Sequence, residues 1–345
     1  MSGGPVLVGI PGCELDDRGR DWLRHPAVGG VVLFRRNFRD QAQLIGLVDE
    51  IRAVGTPRPL VCIDQEGGRV QRLDGEGFTR LPPLGVLGRL HGSDPVKALD
   101  MAYRHGRVMA MEMLDCGIDL SFAPVLDLDR GSRVIGDRSF SPDPAVVSLL
   151  ARSYLAGMKD AGMKSTGKHF PGHGSVVADS HVDDVTDGRS LDDIRQSDLQ
   201  PFAELLPGLD ALMIAHVVYP SVDAVPAGYS QTWLQDILRE ELGYRGIIFS
   251  DDLGMHAAKT AGGVADRARL CLHAGCDLVL VCLPEEVRQL MQGDLGEIEQ
   301  CPEAITRLYG AAKLDRDELV EVKREGIREW QHWRNSLERL GETWS

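Results

Sequence analysis

The chain has 345 residues, of which 43% are hydrophobic and 26% are charged, so it is long enough to bury a large core. Its formal net charge of −14 disfavours nucleic acid and anionic membranes as partners, because both require a basic protein face. The N-terminus shows no signal-peptide pattern, and no apolar stretch approaches the ~20 residues that a membrane span needs. We therefore expect a soluble, cytoplasmic protein.

The first half of the chain alternates short apolar runs with longer amphipathic segments. The runs predict strands at 6–10, 30–34, 60–63 and 118–122. The segments between them predict helices at 16–23, 94–114 and 144–160, and another helix that Asp40 caps. A long loop follows the third strand, which ends on Asp64.

The second half repeats this pattern. It predicts strands at 163–166, 211–215, 246–249 and 277–281, and helices at 191–205, 233–242 and 264–273. Because the strands are continuously apolar, they are typical of a parallel sheet covered on both faces. Eight strand–helix units predict an α/β fold, a single-domain (β/α)8 TIM-type barrel over 1–345 with a C-terminal helix at 315–340 packed outside it. A doubly wound open sheet is the alternative, but no Gly-x-Gly-x-x-Gly follows any predicted strand.

The cysteines give no sign of disulfides or metal binding. There are seven, most of them inside apolar runs where a thiol behaves as a small hydrophobe. They form no Cys-x-x-Cys pair, so neither a zinc ribbon nor a redox motif is indicated. This usage predicts a reducing compartment.

Polar residues gather where the predicted strands end, which is where (β/α)8 barrels carry their chemistry. Such a lining suits a small neutral ligand with many hydroxyls, since charged partners make the stronger hydrogen bonds. The residues at or near strand ends are Asp64, Arg72, Asp127, Arg138, Lys168, His169, Asp179, His181, His216, Asp251 and Asp252.

The stretch 163–185 carries more ionisable groups than a passive connection needs. A metal-dependent hydrolase with His169, His173, Asp179 and His181 as ligands is one interpretation, although their spacing matches no established ligand signature. A catalytically inactive sugar-binding protein is another, because a fold alone does not prove activity.

Five segments together resemble the family 3 glycoside hydrolases, specifically the single-domain bacterial β-N-acetylhexosaminidases. These are Lys-His-Phe-Pro-Gly-His-Gly at 168–174, Asp-Ser-His at 179–181, Ser-Asp-Asp-Leu-Gly-Met at 250–255, Ile-Gly-Asp-Arg at 135–138, and the stretch 63–72. The resemblance runs from about residue 5 to residue 285, and the motifs occur in the family's order. The C-terminal helix lies outside it.

The resemblance implies a role for each matching residue. Asp251 would be the nucleophile, with Asp252 as a rival that spacing alone does not exclude. His181 would be the general acid/base, and Asp179 would orient and charge it, whereas His173 is the competing acid. The implied substrate-binding residues are Asp64, Arg72, Arg138, Lys168, His169, His216 and Met255. No metal or organic cofactor is implied.

The implied activity is that of a retaining exo-β-N-acetylglucosaminidase working through a covalent glycosyl-enzyme. Its substrates would be cell-wall fragments, N-acetylglucosaminyl-1,6-anhydro-N-acetylmuramic acid with or without peptide, in cytoplasmic peptidoglycan recycling. We expect a monomer that binds neither nucleic acid nor membrane. Water is the expected acceptor of the sugar, but phosphate is a physical alternative, since a neutral acid/base does not repel an anion.

Overall fold

Eight parallel strands form a barrel in the computed structural model, which describes residues 3–176, 185–293, 301–311 and 327–344. Seven of the eight strands carry the apolar run that predicted them, with shifts at several ends, and β5 is the exception. The strands are β1 Val6–Gly9, β2 Val28–Leu33, β3 Leu60–Ile63, β4 Leu120–Ser121, β5 Thr166–Phe170, β6 Ala211–Ile214, β7 Ile247–Asp252 and β8 Leu278–Val281.

Successive strands pair in parallel, and β8 pairs with β1. Only β4 and β5 lack a continuous ladder, and single parallel bridges join that seam at Leu120 with Lys164 and at Val125 with Lys168. The order β1 to β8 around a nearly closed ring confirms the predicted (β/α)8 barrel and is not that of an open doubly wound sheet.

Two apolar layers hold the barrel together. Inside it, inward-facing side chains of the strands pack on one another, and the rings of Phe122 and Phe249 meet edge to face with centroids 5.3 Å apart. At the N-terminal end of the strands, Ile305 and Leu308 close this inner core. The second layer lies between the strands and the surrounding helices. The interior is therefore filled except at its C-terminal mouth.

The helices surround the strands, and Asp40 caps α2 as predicted by accepting a hydrogen bond from the Gln43 backbone N–H at 2.9 Å. The helices are α1 Asp17–Arg24, α2 Gln41–Arg52, α3 Leu84–His91, α4 Pro95–Asp115, α5 Pro144–Ala161, α6 Leu191–Arg195, α7 Leu199–Leu205, a π-type helix at Thr232–Glu241, α8 Val264–Ala274, α9 Pro284–Gln292, α10 Pro302–Arg307 and α11 Ile327–Trp344. Short 3-10 turns lie at Arg35–Asn37, Gly136–Arg138, Leu206–Gly208, Ala227–Tyr229 and His256–Ala261.

Two short hairpins rise from the barrel strands. One pairs Gln65–Gly67 with Val70–Gln71 directly after β3, and the other pairs Val218–Tyr219 with Asp223–Pro226 after β6. Both follow the C-terminal ends of barrel strands, so they stand beside the mouth of the barrel.

Two predicted elements were wrong in their limits. The strand expected at 163–166 instead spans Thr166–Phe170, so Lys168 and His169 lie within β5 and not beyond it. The single helix expected at 191–205 is two helices, α6 and α7. Between them the Ser197 hydroxyl donates to the Asp193 carbonyl at 2.6 Å, and Pro201, which has no N–H, sits in the first turn of α7.

The C-terminal helix expected at 315–340 corresponds in part to α11, Ile327–Trp344, while its first residues lie outside the described ranges. The helix packs on α4 and α3, with Leu337 fully buried. In the ranges that the structure describes, no helix is both long enough and apolar enough to cross a membrane.

Candidate active site

The mouth of the barrel opens into a cavity of about 470 Å³. Its apolar floor consists of Val32, Phe122, Met213 and Leu280, which belong to or follow the barrel strands. Above the floor the walls are strongly charged. Seven of the predicted site residues line the cavity: Asp64, Arg72, Arg138, Lys168, His169, Asp251 and Met255.

Lys168 extends from β5 into a pair of carboxylates. Its Nζ atom lies 2.8 Å from Asp64 Oδ1 and 2.5 Å from Glu66 Oε1, and its side chain is 2% exposed. Burial alone would lower the pKa of Lys168, but Asp64 and Glu66 outweigh burial and raise it. Burial would likewise raise the pKa of Asp64, yet Lys168 and Arg72 bring it well below its usual range. These groups are therefore charged at neutral pH.

Arg138 binds Glu66 with two parallel hydrogen bonds, both 2.8 Å long. Burial favours the neutral acid, but Arg138 and Lys168 lower the pKa of Glu66 to about 2. Glu66 was not among the site residues predicted from the sequence. The only signal for it was its place in the family-like stretch 63–72, because its partners lie far away along the chain.

Asp127 is fully buried and organises the end of β5. It accepts hydrogen bonds from the His169 backbone at 3.1 Å, the His169 Nδ1 atom at 2.6 Å and the His173 backbone at 2.6 Å. Burial alone would raise the pKa of Asp127, but His169 outweighs burial and lowers it. The carboxylate thus places the His169 proton on Nδ1 and turns Nε2 towards Arg138, 3.5 Å away.

Asp251 and Asp252 are both at the end of β7 and line the cavity, but their environments differ. Asp252 Oδ1 accepts backbone hydrogen bonds from Gly254 and Cys282, each 3.0 Å long, which tie it to the turn after β7 and to the end of β8. Burial raises the pKa of Asp252, although these two N–H groups oppose the shift. Asp251 Oδ1 accepts a hydrogen bond from the Asp252 backbone at 2.8 Å.

His216 does not line this cavity. It is buried beneath β7, where Nε2 faces the Asp251 carbonyl at 3.2 Å and the ring packs on Tyr229 with centroids 5.9 Å apart. His216 also borders a neighbouring cavity that Val225 and Leu270 line. Burial lowers the pKa of His216. His216 is therefore placed to support the Asp251 backbone. It is not among the described residues that line the proposed sugar cavity.

Asp179 and His181 lie outside the described residues, which resume at Val185 after Val176. His173, the competing acid, lines the cavity, and burial lowers its pKa while Asp127 opposes that shift. Cavity residues that sequence reasoning did not select include Phe34, Arg69, Val70, Val134 and Cys282.

Two of the four ligands in the metal-dependent alternative, Asp179 and His181, lie outside the described residues, among which no group of three or more His, Cys, Asp or Glu is placed to hold an ion. His169 and His173 are near neighbours, with ring centroids 6.4 Å apart. The Nδ1 atom of His169 already bonds Asp127. All seven cysteines are free thiols.

Comparison with known proteins gives one consistent result. Residues 7–310 match the family described as the glycosyl hydrolase family 3 N-terminal domain. A β-hexosaminidase of Stenotrophomonas maltophilia is 50% identical over 340 residues, covering 98% of this chain and 99% of its own. Another β-hexosaminidase, from Xanthomonas campestris, is 51% identical over 317 residues, which cover 91% of this chain and 95% of the relative. The crystal structure of NagZ from Neisseria gonorrhoeae in complex with N-trifluoroacetyl-D-glucosamine matches with a TM-score of 0.90 at 44% identity, covering 99% of each chain.

Proposed function

The chain belongs to glycoside hydrolase family 3 as a β-hexosaminidase, and we propose that it is a retaining exo-β-N-acetylglucosaminidase. The observation that carries this proposal is the charged cavity at the barrel mouth, with the half-exposed Asp251 on its wall. A relative of 44% identity binds N-trifluoroacetyl-D-glucosamine, which supports an N-acylated glucosamine as the bound sugar.

The cavity suits a single terminal sugar. Its volume of about 470 Å³ falls in the usual range for small-ligand sites, and the barrel core closes its floor. Asp64, Arg138, Lys168 and His169 would hold the sugar hydroxyls, because each presents a charged or polar atom to the cavity. A chain that enters such a cavity can present only its end, which favours exo cleavage.

In the proposed reaction, Asp251 attacks the anomeric carbon and forms a covalent glycosyl-enzyme, while His181 gives its proton to the leaving oxygen. His181 then takes a proton from water, which attacks the same carbon, frees Asp251 and restores the original anomeric configuration. Asp179 would orient the His181 ring and stabilise its charged form. The roles of Asp179 and His181 rest on the family resemblance alone.

The choice of Asp251 over Asp252 has structural support. Asp252 Oδ1 is occupied by two backbone N–H groups, which ties this carboxylate to the protein frame. A nucleophile needs a carboxylate oxygen that can reach the anomeric carbon, and the two backbone bonds to Oδ1 make Asp252 less suited to that role.

For the natural substrate we propose N-acetylglucosaminyl-1,6-anhydro-N-acetylmuramic acid, with or without peptide, released during cytoplasmic peptidoglycan recycling. The resemblance of the five motifs supports this assignment. Seven free thiols also suit a reducing compartment. We propose a monomer, because one chain supplies every cavity residue named above.

The deciding experiment is hydrolysis of 4-nitrophenyl N-acetyl-β-D-glucosaminide, with the matching β-glucoside as the control substrate. We expect cleavage of the first, a much lower kcat/KM for the second, and an initial product with the β configuration by NMR. An α product would contradict retention. No turnover of either substrate, with N-acetylglucosamine still bound, would favour the inactive sugar-binding alternative.

Two additions to the same assay test the remaining alternatives. Phosphate should leave the rate and the product unchanged, whereas N-acetylglucosamine 1-phosphate would reveal phosphorolysis. A strong chelator should also leave the rate unchanged, and activity lost in chelator and restored by one divalent metal would favour the metal-dependent hydrolase.

A further inference from the structure

The C-terminal helix α11 places Arg334 against a buried carboxylate of α4. Arg334 Nε donates to the Thr79 hydroxyl at 2.7 Å and lies 3.4 Å from Glu112 Oε1. Glu112 is 3% exposed and accepts hydrogen bonds from the Thr79 backbone N–H, at 3.0 and 3.1 Å to its two oxygens, and from the Thr79 hydroxyl at 2.5 Å. Helices α4 and α11 therefore hold Thr79 between them.

Thr79 belongs to a segment, residues 79–82, that bonds directly to the hairpin at the cavity. The Gln71 side chain donates to the Thr79 carbonyl at 2.9 Å and accepts from the Leu81 backbone at 3.1 Å. The Gly68 backbone N–H donates to the Leu81 carbonyl at 2.9 Å. The hairpin at 65–71 thus rests on residues 79–82 through its turn, at Gly68, and through the end of its second strand, at Gln71.

This hairpin carries much of one cavity wall. Glu66 lies on its first strand, Arg69 lies at its turn, and Arg72 follows its second strand. Gln65 Oε1 accepts from the Arg72 backbone at 2.9 Å, which ties the exit of the hairpin to its start. A shift of the hairpin would therefore move Glu66 and Arg72 together.

We propose that Arg334 is a positioning residue for the sugar-binding cavity, acting through Thr79 and Gln71 on this hairpin. The proposal rests on the function proposed above, since Arg72 lines the sugar cavity and Glu66 holds two of its lining residues, Arg138 and Lys168. Arg334 contacts Thr79 and Glu112, neither of which is among the described residues that line the cavity, so it acts on substrate binding at a distance. A displacement of about 1 Å in such a wall is enough to weaken binding and orientation.

The helix itself is anchored independently of Arg334. Leu337 is fully buried, and the Trp333 ring lies beside Arg104 and Arg107, whose guanidinium carbons are 5.7 and 5.2 Å from the ring centre. Removing the Arg334 guanidinium should thus leave α11 in place while Thr79 loses one of the two helix side chains that anchor it and keeps Glu112. This separation makes positioning distinguishable from a contribution to folding alone.

The test compares Arg334→Met, which keeps the aliphatic stem, with Arg334→Lys and with Arg339→Met. Arg339 is an exposed residue of the same helix whose guanidinium contacts Ser336 of that helix, so it is the matched control. We expect Arg334→Met to raise KM for 4-nitrophenyl N-acetyl-β-D-glucosaminide by about fivefold, with kcat changed by less than about twofold. Arg334→Lys should restore part of the loss, and Arg339→Met should match wild type.

Hydrogen exchange gives a readout that does not depend on activity. In Arg334→Met, amides of 65–73 should exchange faster, whereas those of β6 and β7 should not. Faster exchange with an unchanged KM would overturn the link to binding, and unchanged exchange in 65–73 would overturn the proposed path. If the wild type lacks glucosaminidase activity, the proposed function fails, and exchange in 65–73 still decides whether Arg334 holds the hairpin.

Discussion

The Lys168 Nζ atom and the Glu66 Oε1 atom lie 2.5 Å apart, and both side chains are 2% exposed. Such a buried pair loses hydration, so it persists only with further partners. Asp64 is the further partner of Lys168. Arg138 is the further partner of Glu66, to which it donates two hydrogen bonds. Arg72 also pairs with Asp64, at 3.4 Å, so three cations surround two carboxylates, and the cavity presents fixed, hydrogen-bonding charges to a neutral sugar.

Glu66→Gln should impair binding more than it impairs the chemical step. The substitution leaves Arg138 facing a neutral amide in place of its carboxylate partner and leaves Lys168 with only Asp64, so both cations are held less firmly. We expect kcat/KM for the aryl glycoside to fall by about 10- to 100-fold, mainly through KM. Steady-state kinetics beside the exposed control Glu76→Gln checks this, and a Glu66→Gln enzyme with wild-type KM would contradict it.

The low pKa of Glu66 also makes stability depend on pH. Its pKa is about 2 in the folded chain against 4.5 for the free side chain, so the unfolded chain binds the proton first as pH falls. The stabilisation is therefore complete above about pH 5 and is lost as pH falls from about 4.5 towards about 2. Between about pH 5 and pH 3, wild type should lose on the order of 2 kcal/mol more unfolding free energy than Glu66→Gln in urea titrations. Equal losses would show that Glu66 titrates normally.

The barrel could be predicted because most of its strands contain a continuous apolar run, and most of the predicted site residues near the strand ends line the cavity. Glu66 could not be found in this way, since its importance comes from Arg138, which is distant in sequence. The limits of β5 were also misjudged, because Lys168 and His169 are polar residues inside a strand, compensated by Asp64 and Asp127. A local pattern does not contain such long-range partners.

His216 is a second case in which the local sequence did not reveal the contacts of a side chain. As the residue two positions after β6, it was expected in the sugar cavity. The barrel instead turns it under β7, where it meets the Asp251 carbonyl. Sequence spacing gives the end of the barrel to which a residue belongs, but not the cavity that its side chain enters.

Asp251→Ala should abolish turnover, whereas Asp252→Asn should retain part of it. Asp251 faces the cavity as the proposed nucleophile, and an asparagine at 252 can still accept the Gly254 and Cys282 hydrogen bonds through its side-chain oxygen. We expect at least about a 10³-fold loss of kcat for Asp251→Ala. A 5-fluoro glycosyl donor should label Asp251, as peptide mass spectrometry would show. A label on Asp252 would reverse the two roles.

An enzyme nucleophile predicts weak inhibition by a thiazoline analogue of N-acetylglucosamine. Some hexosaminidases use the substrate's acetamido oxygen as the nucleophile, and such enzymes bind this cyclic mimic tightly. If Asp251 attacks instead, the mimic resembles no intermediate and should bind no better than N-acetylglucosamine does. The measurement is the ratio of the two inhibition constants. A thiazoline that binds more than about 100-fold tighter would make Asp251 and Asp252 supporting acids in a substrate-assisted reaction.

His181 offers the sharpest test of the proposed mechanism, because a general acid matters in proportion to the leaving group's need for a proton. A 4-nitrophenolate leaves almost unaided, and a sugar alkoxide does not. His181→Ala should therefore slow disaccharide cleavage at least about 10²-fold more than aryl glycoside cleavage. Asp179→Ala should show the same selectivity more weakly, since it removes only the orienting carboxylate. His173→Ala is the control: its backbone, not its ring, bonds Asp127, so both substrates should slow alike. Leaving-group dependence in His173→Ala, and none in His181→Ala, would make His173 the acid.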